Sequence, residues 1–298
     1  MSAHGQRHIG VIGAGAMGLP IAARLHASGA RVLVADPFPA ALERVRDAGM
    51  TGTADPADAA ACELVVVMVA APAQLLSLLE AGPFEQGSAV RTAVVTATVG
   101  PLAIREFAER LAERGIDVLD APVTGGVAGA RDGTLTLMGA GGEAAIAHAT
   151  SALAPVGSVR AVGTRPGDGQ SVKLVNNLLS SVHAVAASEA LRFARALDLD
   201  PMAIHPLLTS GAANSWMVGD RYPRMAQPRD EREFNTATAI FAKDTSLIGD
   251  TAQALGTAVP MLELARHVFQ QAVQLGWERE DDSCIADLPT SATAAATL

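Results

Sequence analysis

The sequence predicts an α/β protein with a doubly wound parallel sheet in its N-terminal half and an all-helical C-terminal half, joined by a long helix. From His8 to about Arg160, short apolar runs alternate with segments at helical spacing, as in a parallel sheet covered by helices. From Ser171 to Leu197 the chain contains neither Pro nor Gly, and no strand pattern follows. We therefore expect a sheet domain at 1–165, a helical domain at 166–288 and a disordered tail at 289–298.

The individual elements follow from apolar runs and from the residues that begin or end helices. Five runs predict strands: His8 to Ile12, Arg31 to Ala35, Leu64 to Val69, Thr92 to Ala97 and Ile116 to Leu119. Helices are predicted from Met17 to Ser28, before Gly29, and from Pro101 to Arg114, before Gly115. In the second half we expect helix breaks at Pro201, Gly211, Pro223, Gly256 and Gly276.

Composition excludes several classes of function. The 298 residues carry a net charge of -9 without a block of like charges, which argues against nucleic acid or an anionic membrane as a partner. The uncharged stretch from Leu64 to Leu79 is too short to span a membrane. Because Cys62 and Cys284 are far apart, we expect no metal site and no disulfide framework. These features predict a cytoplasmic protein in a reducing compartment.

A glycine-rich segment follows the first predicted strand and opens the first predicted helix. It has the pattern G-x-G-x-x-G, formed by Gly13, Ala14, Gly15, Ala16, Met17 and Gly18. In such a loop the first glycine permits a tight turn, the second lets the backbone approach a pyrophosphate, and the third lets helix and strand pack closely. The segment predicts a Rossmann-type domain that binds a dinucleotide.

Asp36 ends the second predicted strand at the spacing where an acid binds the adenosine ribose. Its charge would repel a 2'-phosphate, and neither Pro37 nor Phe38 could receive one, so NAD is favoured over NADP. The alternative is that Asp36 only caps the turn into the next helix. Further candidates for cofactor contacts lie at the end of the third predicted strand or after the third and fourth: Val69, Ala70, Gln74 and Thr98.

Lys173 is the candidate acid/base for hydride transfer from an alcohol. The single tyrosine, Tyr222, lacks the lysine four residues on that short-chain dehydrogenases use, because Ala226 stands there. Only two of the 22 basic residues are lysines, and a lysine, unlike an arginine, can give up its proton when it is desolvated. Asn177 lies one turn further along the predicted helix. The alternative is a solvent-exposed lysine at a helix start.

A third cluster follows the fifth strand, from Asp120 to Gly126. The backbone N–H groups of Gly125 and Gly126, together with the hydroxyl of Thr124, form a small nest suited to a carboxylate. Taken alone, the same segment could be an ordinary Pro-Gly loop.

These motifs resemble those of the β-hydroxyacid dehydrogenase family, the 3-hydroxyisobutyrate dehydrogenase-like enzymes. Four of them occur in the family's order over roughly 8 to 285: Gly13 to Gly18, Asp120 to Gly126, Gly167 to Asn177, and Lys243-Asp244. The C-terminal half, with Asn214 to Met217 and Gly276 to Ser283, is similar to the L-threonate dehydrogenase subgroup. Thr124 is a departure, since the family usually has Ser there.

The resemblance implies roles for individual residues. Lys173 would be the catalytic acid/base and Asn177 its assistant, while Thr124, Gly125 and Gly126 would bind the substrate carboxylate. Thr98 and Lys243 would lie near the nicotinamide, with Lys243 also contacting substrate. A homodimer or homotetramer is implied as well.

The expected function is therefore that of an NAD-dependent oxidoreductase. It would move a hydride between the nicotinamide and a small anionic hydroxy acid of the L-threonate or 3-hydroxyisobutyrate type. Two alternatives stay open: an imine reductase-like enzyme, and a catalytically inactive dinucleotide-binding module. The presence of Lys173 argues against both.

Overall fold

The computed structural model describes residues 7–289, and the chain divides into two compact units between Leu174 and Val175. Each unit is described by itself. Of the predicted disordered tail, all but Pro289 lies outside the described residues. The predicted domain limits at residues 165 and 288 stay predictions.

The first unit is a sheet covered by helices. Its strands are β1 (His8–Ile12), β2 (Arg31–Ala35), β3 (Thr51–Thr53), β4 (Leu64–Val67), β5 (Thr92–Val95), β6 (Asp117–Asp120), β7 (Val123–Thr124), β8 (Leu135–Ala140) and β9 (Gly157–Gly163). Its helices are α1 (Gly18–Ala27), α2 (Pro39–Asp47), α3 (Pro72–Ser77), α4 (Pro101–Ala112), α5 (Gly126–Asp132) and α6 (Glu143–Leu153).

The sheet has the order β3-β2-β1-β4-β5-β6-β8-β7, with β9 beside β8. The six strands from β3 to β6 are parallel, and the order reverses between β1 and β4. All four residues of β4 are buried, with Leu64 and Val66 in one apolar cluster and Val65 and Val67 in another. A strand buried on both faces is a continuous apolar run, which explains why the sequence pattern identified it.

Four strands, β3, β7, β8 and β9, were not among the predicted elements. Strands β3 and β7 have three and two residues, too few for a pattern, while β9 is largely exposed and its sequence is not an apolar run. The pairs β6–β8 and β7–β8 are antiparallel, so the sheet is mixed beyond β6. The predicted strands Leu64 to Val69 and Thr92 to Ala97 each end two residues early, at Val67 and Val95.

The second unit is helical. The long helix α7 (Asp168–Ala196) begins in the first unit and continues into the second, followed by α8 (Pro201–Thr209), α9 (Trp216–Ala226), α10 (Thr238–Ala254) and α11 (Pro260–Gln274). The break predicted at Pro223 is wrong, because α9 continues through it. Burial of Met217, Tyr222 and Met225 on one face of α9 offsets the hydrogen bond that the proline cannot make. None of the helices in 7–289 is long and apolar enough to cross a membrane.

Candidate active site

The loop after β1 has the geometry that a dinucleotide requires. Gly13 has a φ of 98°, and a Cβ there would clash with the carbonyl of Met68. A Cβ on Gly18 would clash with the carbonyl of Gly13, so α1 begins directly against the loop. At Gly15 a Cβ would meet nothing within 4 Å, which leaves the backbone open on that side. The three glycines therefore match a turn, a packing contact and an open approach for a pyrophosphate.

The carboxylate of Asp36 is buried next to this loop. Its Oδ2 accepts a hydrogen bond of 2.7 Å from the backbone N–H of Ala14, and its Oδ1 accepts one of 2.9 Å from Phe38. Asp36 thus ties the glycine loop to the turn before α2, although the N-cap residue of that helix is Phe38. Each oxygen keeps a second lone pair, so these local bonds leave a ribose contact open.

The segment after β4 contains three of the predicted cofactor contacts. The side-chain oxygen of Gln74 accepts hydrogen bonds from the backbone N–H groups of Ala70, at 2.8 Å, and Ala71, at 3.1 Å. This gives Gln74 a local role at the start of α3. Cofactor contacts by Val69, Ala70 and Gln74 stay predictions.

Asp120, the last residue of β6, holds the first turn of α7. It is fully buried, and its Oδ2 accepts hydrogen bonds from the backbone N–H groups of Gly167, at 2.8 Å, and Gln170, at 2.9 Å. Its Oδ1 accepts a third, of 3.0 Å, from Nε2 of Gln170. Burial raises the pKa of the Asp120 carboxyl above its ordinary value and outweighs the hydrogen bonds from Gln170, Gly167 and Gly169, which lower it. Asp120 therefore anchors α7 rather than facing solvent.

The side chain of Gln170 also binds the loop after β5. Its Nε2 donates to the carbonyl of Ala97 at 3.0 Å, and its Oε1 accepts from the N–H groups of Val99, at 2.9 Å, and Gly100, at 3.0 Å. Thr98, the predicted contact near the nicotinamide, lies between these bonds and is half-buried. One buried amide therefore fixes the backbone on both sides of Thr98.

Two glycines allow this close approach of α7 to the sheet. A Cβ on Gly169 would lie 2.5 Å from the carbonyl of Met138 and 3.0 Å from Oδ2 of Asp120. Gly167 has a φ of 102°, a conformation that favours glycine. The G-x-G-x-x-x-K spacing thus places Lys173, which is partly buried, within two turns of the contact with Asp120.

The predicted carboxylate site follows β7. Gly125 and Gly126 have φ values of 121° and 65°, and α5 begins at Gly126. The backbone of Thr124 pairs with Thr136 of β8, and its side chain is half-buried. The structure therefore gives this segment the positive φ angles of a glycine turn, and carboxylate binding there stays a prediction.

The second unit brings together Asn177, Lys243 and Asp244. The side-chain amide of Asn177 donates a hydrogen bond of 2.7 Å to Oδ2 of Asp244, and its carbonyl oxygen accepts one of 3.0 Å from the side chain of Asn176. Nζ of Lys243 lies 2.8 Å from Oδ1 of Asp244. Both Asn177 and Asp244 are buried. A single carboxylate therefore organises one predicted catalytic residue and one predicted binding residue.

Asp120, Gln170 and Asp244 were not among the site residues predicted from the sequence. All three lie inside motifs, and two of them are acids at fixed positions in those motifs, a signal that could have identified them. Among residues 7–289, no group of three or more His, Cys, Asp or Glu side chains is placed to hold a metal ion.

Comparisons with known proteins agree with this geometry. A family model described as the NAD binding domain of 6-phosphogluconate dehydrogenase matches residues 8–164. A second, described as NAD-binding of NADP-dependent 3-hydroxyisobutyrate dehydrogenase, matches residues 167–288.

Individual relatives cover nearly the whole chain. L-threonate dehydrogenase of Cupriavidus necator is 36% identical over 94% of this chain and 95% of its own length. The enzyme of the same name from Pectobacterium atrosepticum is 33% identical over 93% of this chain and 92% of its own length. The crystal structure of 3-hydroxyisobutyrate dehydrogenase from Salmonella typhimurium matches with a TM-score of 0.83 at 30% identity, over 95% of this chain and 100% of that one.

These matches confirm three predictions: the fold class, the NAD-binding domain and the similarity to L-threonate dehydrogenases. The chain belongs to the NAD(P)-dependent β-hydroxyacid dehydrogenase family.

Proposed function

We propose that this enzyme transfers a hydride between NAD and a small hydroxy carboxylic acid of the L-threonate or 3-hydroxyisobutyrate type, with Lys173 as the general acid/base. The observation that carries the proposal is the attachment of the first turn of α7 to the carboxyl ends of β5 and β6. Ligands of open parallel sheets bind outside the carboxyl ends of the strands, at the point where the strand order reverses. The attachment brings the start of the helix that carries Lys173 to the same edge as the glycine loop.

Each proposed site residue has its own role in the reaction. NAD, when bound, would supply the acceptor for the hydride of the carbinol carbon. Neutral Lys173 takes the proton of the substrate hydroxyl on its Nζ, and the carbonyl group forms as the C–H and O–H bonds break. Thr124, Gly125 and Gly126 hold the substrate carboxylate, and Asn177 and Lys243 orient the substrate.

We assign cofactor binding to Gly13 to Gly18, Asp36, Val69, Ala70, Gln74, Thr98 and Lys243. NAD is the favoured cofactor because the buried Asp36 carboxylate would repel the 2'-phosphate of NADP. Lys243, 2.8 Å from the Asp244 carboxylate, is oriented by that ion pair.

The test compares the two lysines. Lys173→Arg replaces the lysine by a permanently protonated guanidinium that cannot act as a base near neutral pH, so kcat should fall by about 100-fold to 10,000-fold. Lys243→Arg should lose far less, because its role requires only a charge. Formation of NADH, followed by absorbance, measures both. If Lys173→Arg turned over like the wild type, the assigned proton transfer would be wrong.

A substrate panel separates the remaining functions. We expect activity with L-threonate or 3-hydroxyisobutyrate, tested alongside glycerate and L-serine. Activity only with a cyclic imine and NADPH would instead establish an imine reductase. Binding of NADH without turnover of any of these compounds would indicate a catalytically inactive dinucleotide-binding module.

The proposal includes a homodimer or homotetramer. One face of α7 in the second unit carries apolar side chains that are exposed or half-buried: Val175, Leu179, Val182, Ala186, Ala190 and Phe193. Their spacing places them on one narrow arc of the helix. We assign this face to a second copy of the chain, and Leu179→Glu should lower the molar mass measured by sedimentation.

The proposal also places the enzyme in the cytoplasm. Cys62 and Cys284, the two cysteines of the chain, are buried free thiols, as a reducing compartment allows. Fractionation of cells that express the protein tests this location.

A further inference from the structure

The side chain of Gln170 joins three segments of the first unit. It is fully buried and makes four hydrogen bonds: to Ala97, Val99 and Gly100 in the loop after β5, and to Asp120 at the end of β6. Its own backbone N–H gives Asp120 a further bond, of 2.9 Å. These four bonds use both N–H donors of the amide and both lone pairs of its carbonyl oxygen.

The orientation of this amide is fixed by its partners. Oε1 of Gln170 faces two backbone N–H donors, whereas Nε2 faces a carbonyl oxygen and the Asp120 carboxylate, both acceptors. A flipped amide would set donors against donors and acceptors against acceptors. The Asp120 carboxylate is one of the partners that fix this orientation, so Asp120 acts on the loop after β5 through Gln170.

The amide fixes the position of Thr98 in particular. The bonds to Ala97 on one side and to Val99 and Gly100 on the other leave the backbone around Thr98 little freedom. Lys173 follows Gln170 by three residues in the same helix. A single side chain therefore fixes the loop that carries Thr98 to the helix that carries Lys173.

We propose that Gln170, oriented by the buried carboxylate of Asp120, is a positioning residue that fixes the positions of Lys173 and Thr98 relative to each other for proton and hydride transfer. This inference rests on the proposed function. Gln170 itself touches neither substrate nor cofactor. It acts by placement, and a misplacement of about 1 Å can lower a rate about 100-fold.

The first test is Gln170→Met, which keeps the volume and removes the four side-chain hydrogen bonds. We expect kcat to fall by about 100-fold, with the KM for NAD little changed because Asp36 and the glycine loop are untouched. Gln253→Met, at an exposed position of α10, is the matched control and should keep wild-type kcat.

A second readout needs no cofactor. In the NAD-free protein, the amide protons of Val99 and Gly100 should exchange faster in Gln170→Met than in the wild type. The amide proton of Ala14, held by Asp36, should exchange at its original rate. A general loss of structure would instead accelerate all three.

The sharpest test exchanges the carboxylate at position 120 and the amide at position 170. Asp120→Asn alone turns a donor toward Nε2 of Gln170, and Gln170→Glu alone sets two carboxylates against each other. In the double variant, the amide introduced at position 120 can donate to the carboxylate introduced at position 170, while the amide oxygen still accepts from the two backbone N–H groups. We expect the double variant to exceed both single variants in kcat, although it lacks the bond to Ala97.

Two results would overturn the inference. One is a folded Gln170→Met with wild-type kcat and unchanged exchange at Val99 and Gly100. The other is a double variant no more active than the better single variant, which decides the question even if Gln170→Met fails to fold. A wild-type enzyme inactive on every hydroxy acid, or an active Lys173→Arg, would instead refute the proposed function.

Discussion

Asn177 donates a hydrogen bond of 2.7 Å to Oδ2 of Asp244, and the other oxygen of that carboxylate lies 2.8 Å from Nζ of Lys243. Asp244 is buried, so its charge is poorly screened and its contacts are strong. Asn177 lies in α7, whereas Lys243 and Asp244 lie in α10. The Lys243-Asp244 pair of the sequence is therefore one unit, in which the acid orients its neighbouring lysine and the asparagine together.

Replacing Asp244 by Asn should separate these effects. The new side chain can still accept a bond from Asn177, but its amide end would face the ammonium group of Lys243. Loss of a charge-assisted bond of about 1.5–3 kcal/mol should lower kcat/KM by about 10-fold to 100-fold. Steady-state kinetics measures the loss, and Asp250→Asn, an exposed site on the same helix, is the control. Equal kinetics in the two variants would contradict the role of Asp244.

The sequence predicted the parts of the molecule whose interactions are local. The strand β1, the glycine loop and α1 follow from apolar runs and from three glycines, each of which the structure explains by a turn, an open side or a close contact. The role of Gln170 could not be predicted, because its partners lie 50 to 73 residues away in the chain. Short β7 and exposed β9 also lack a pattern, since their pairing with β8 depends on the sheet already present.

Asp36→Ala should weaken the preference for NAD over NADP. Removing the carboxylate removes its repulsion of the 2'-phosphate, and it also frees the N–H groups of Ala14 and Phe38. We expect kcat/KM with NAD to fall and the ratio of NAD to NADP activity to drop by about tenfold, the effect of about 1.4 kcal/mol. Asp47→Ala, at an exposed position of α2, should leave the ratio unchanged. An unaltered ratio in Asp36→Ala would refute the ribose assignment.

A buried ion pair supports the second unit. Nε of Arg221 donates a bond of 2.7 Å to Oδ2 of Asp282, and both side chains are almost fully buried. Arg221→Met would leave the Asp282 carboxylate with Arg224, at 3.3 Å, as its remaining cation among the described contacts. Breaking a buried pair in this way should lower the free energy of unfolding by about 3–5 kcal/mol.

Urea denaturation checks the size of this loss. The control is Arg266→Met, whose ion pairs are at 3.8 Å and 3.9 Å and largely exposed, and which should cost at most about 1 kcal/mol. Because an apolar pair avoids desolvating charges, Arg221→Met combined with Asp282→Leu should recover much of the lost stability. An additive double variant would show that the two side chains do not interact.

Stability should also depend on the protonation of Asp282. Burial raises the pKa of the Asp282 carboxyl to about 6, outweighing the attraction of Arg221, while the neighbouring Asp281 adds repulsion and Arg224 adds attraction. The folded protein therefore binds this proton more tightly than the unfolded chain, in which the pKa is the ordinary value of 3.8. Hence the contribution of Asp282 to stability is fully present below about pH 4 and is lost as the pH rises through about 6.

Asp282→Asn isolates this contribution because its side chain does not titrate. The free energy of unfolding of the wild type, minus that of Asp282→Asn, should increase by about 1 kcal/mol when the pH falls from about 7 to about 5. Urea denaturation of both proteins at the two pH values measures the difference. The pKa of Asp281 is lowered instead, so its contribution has the opposite sign, and it is present in both proteins. A difference that stays the same at about pH 7 and about pH 5 would mean that Asp282 remains ionised in the folded protein throughout, held by Arg221.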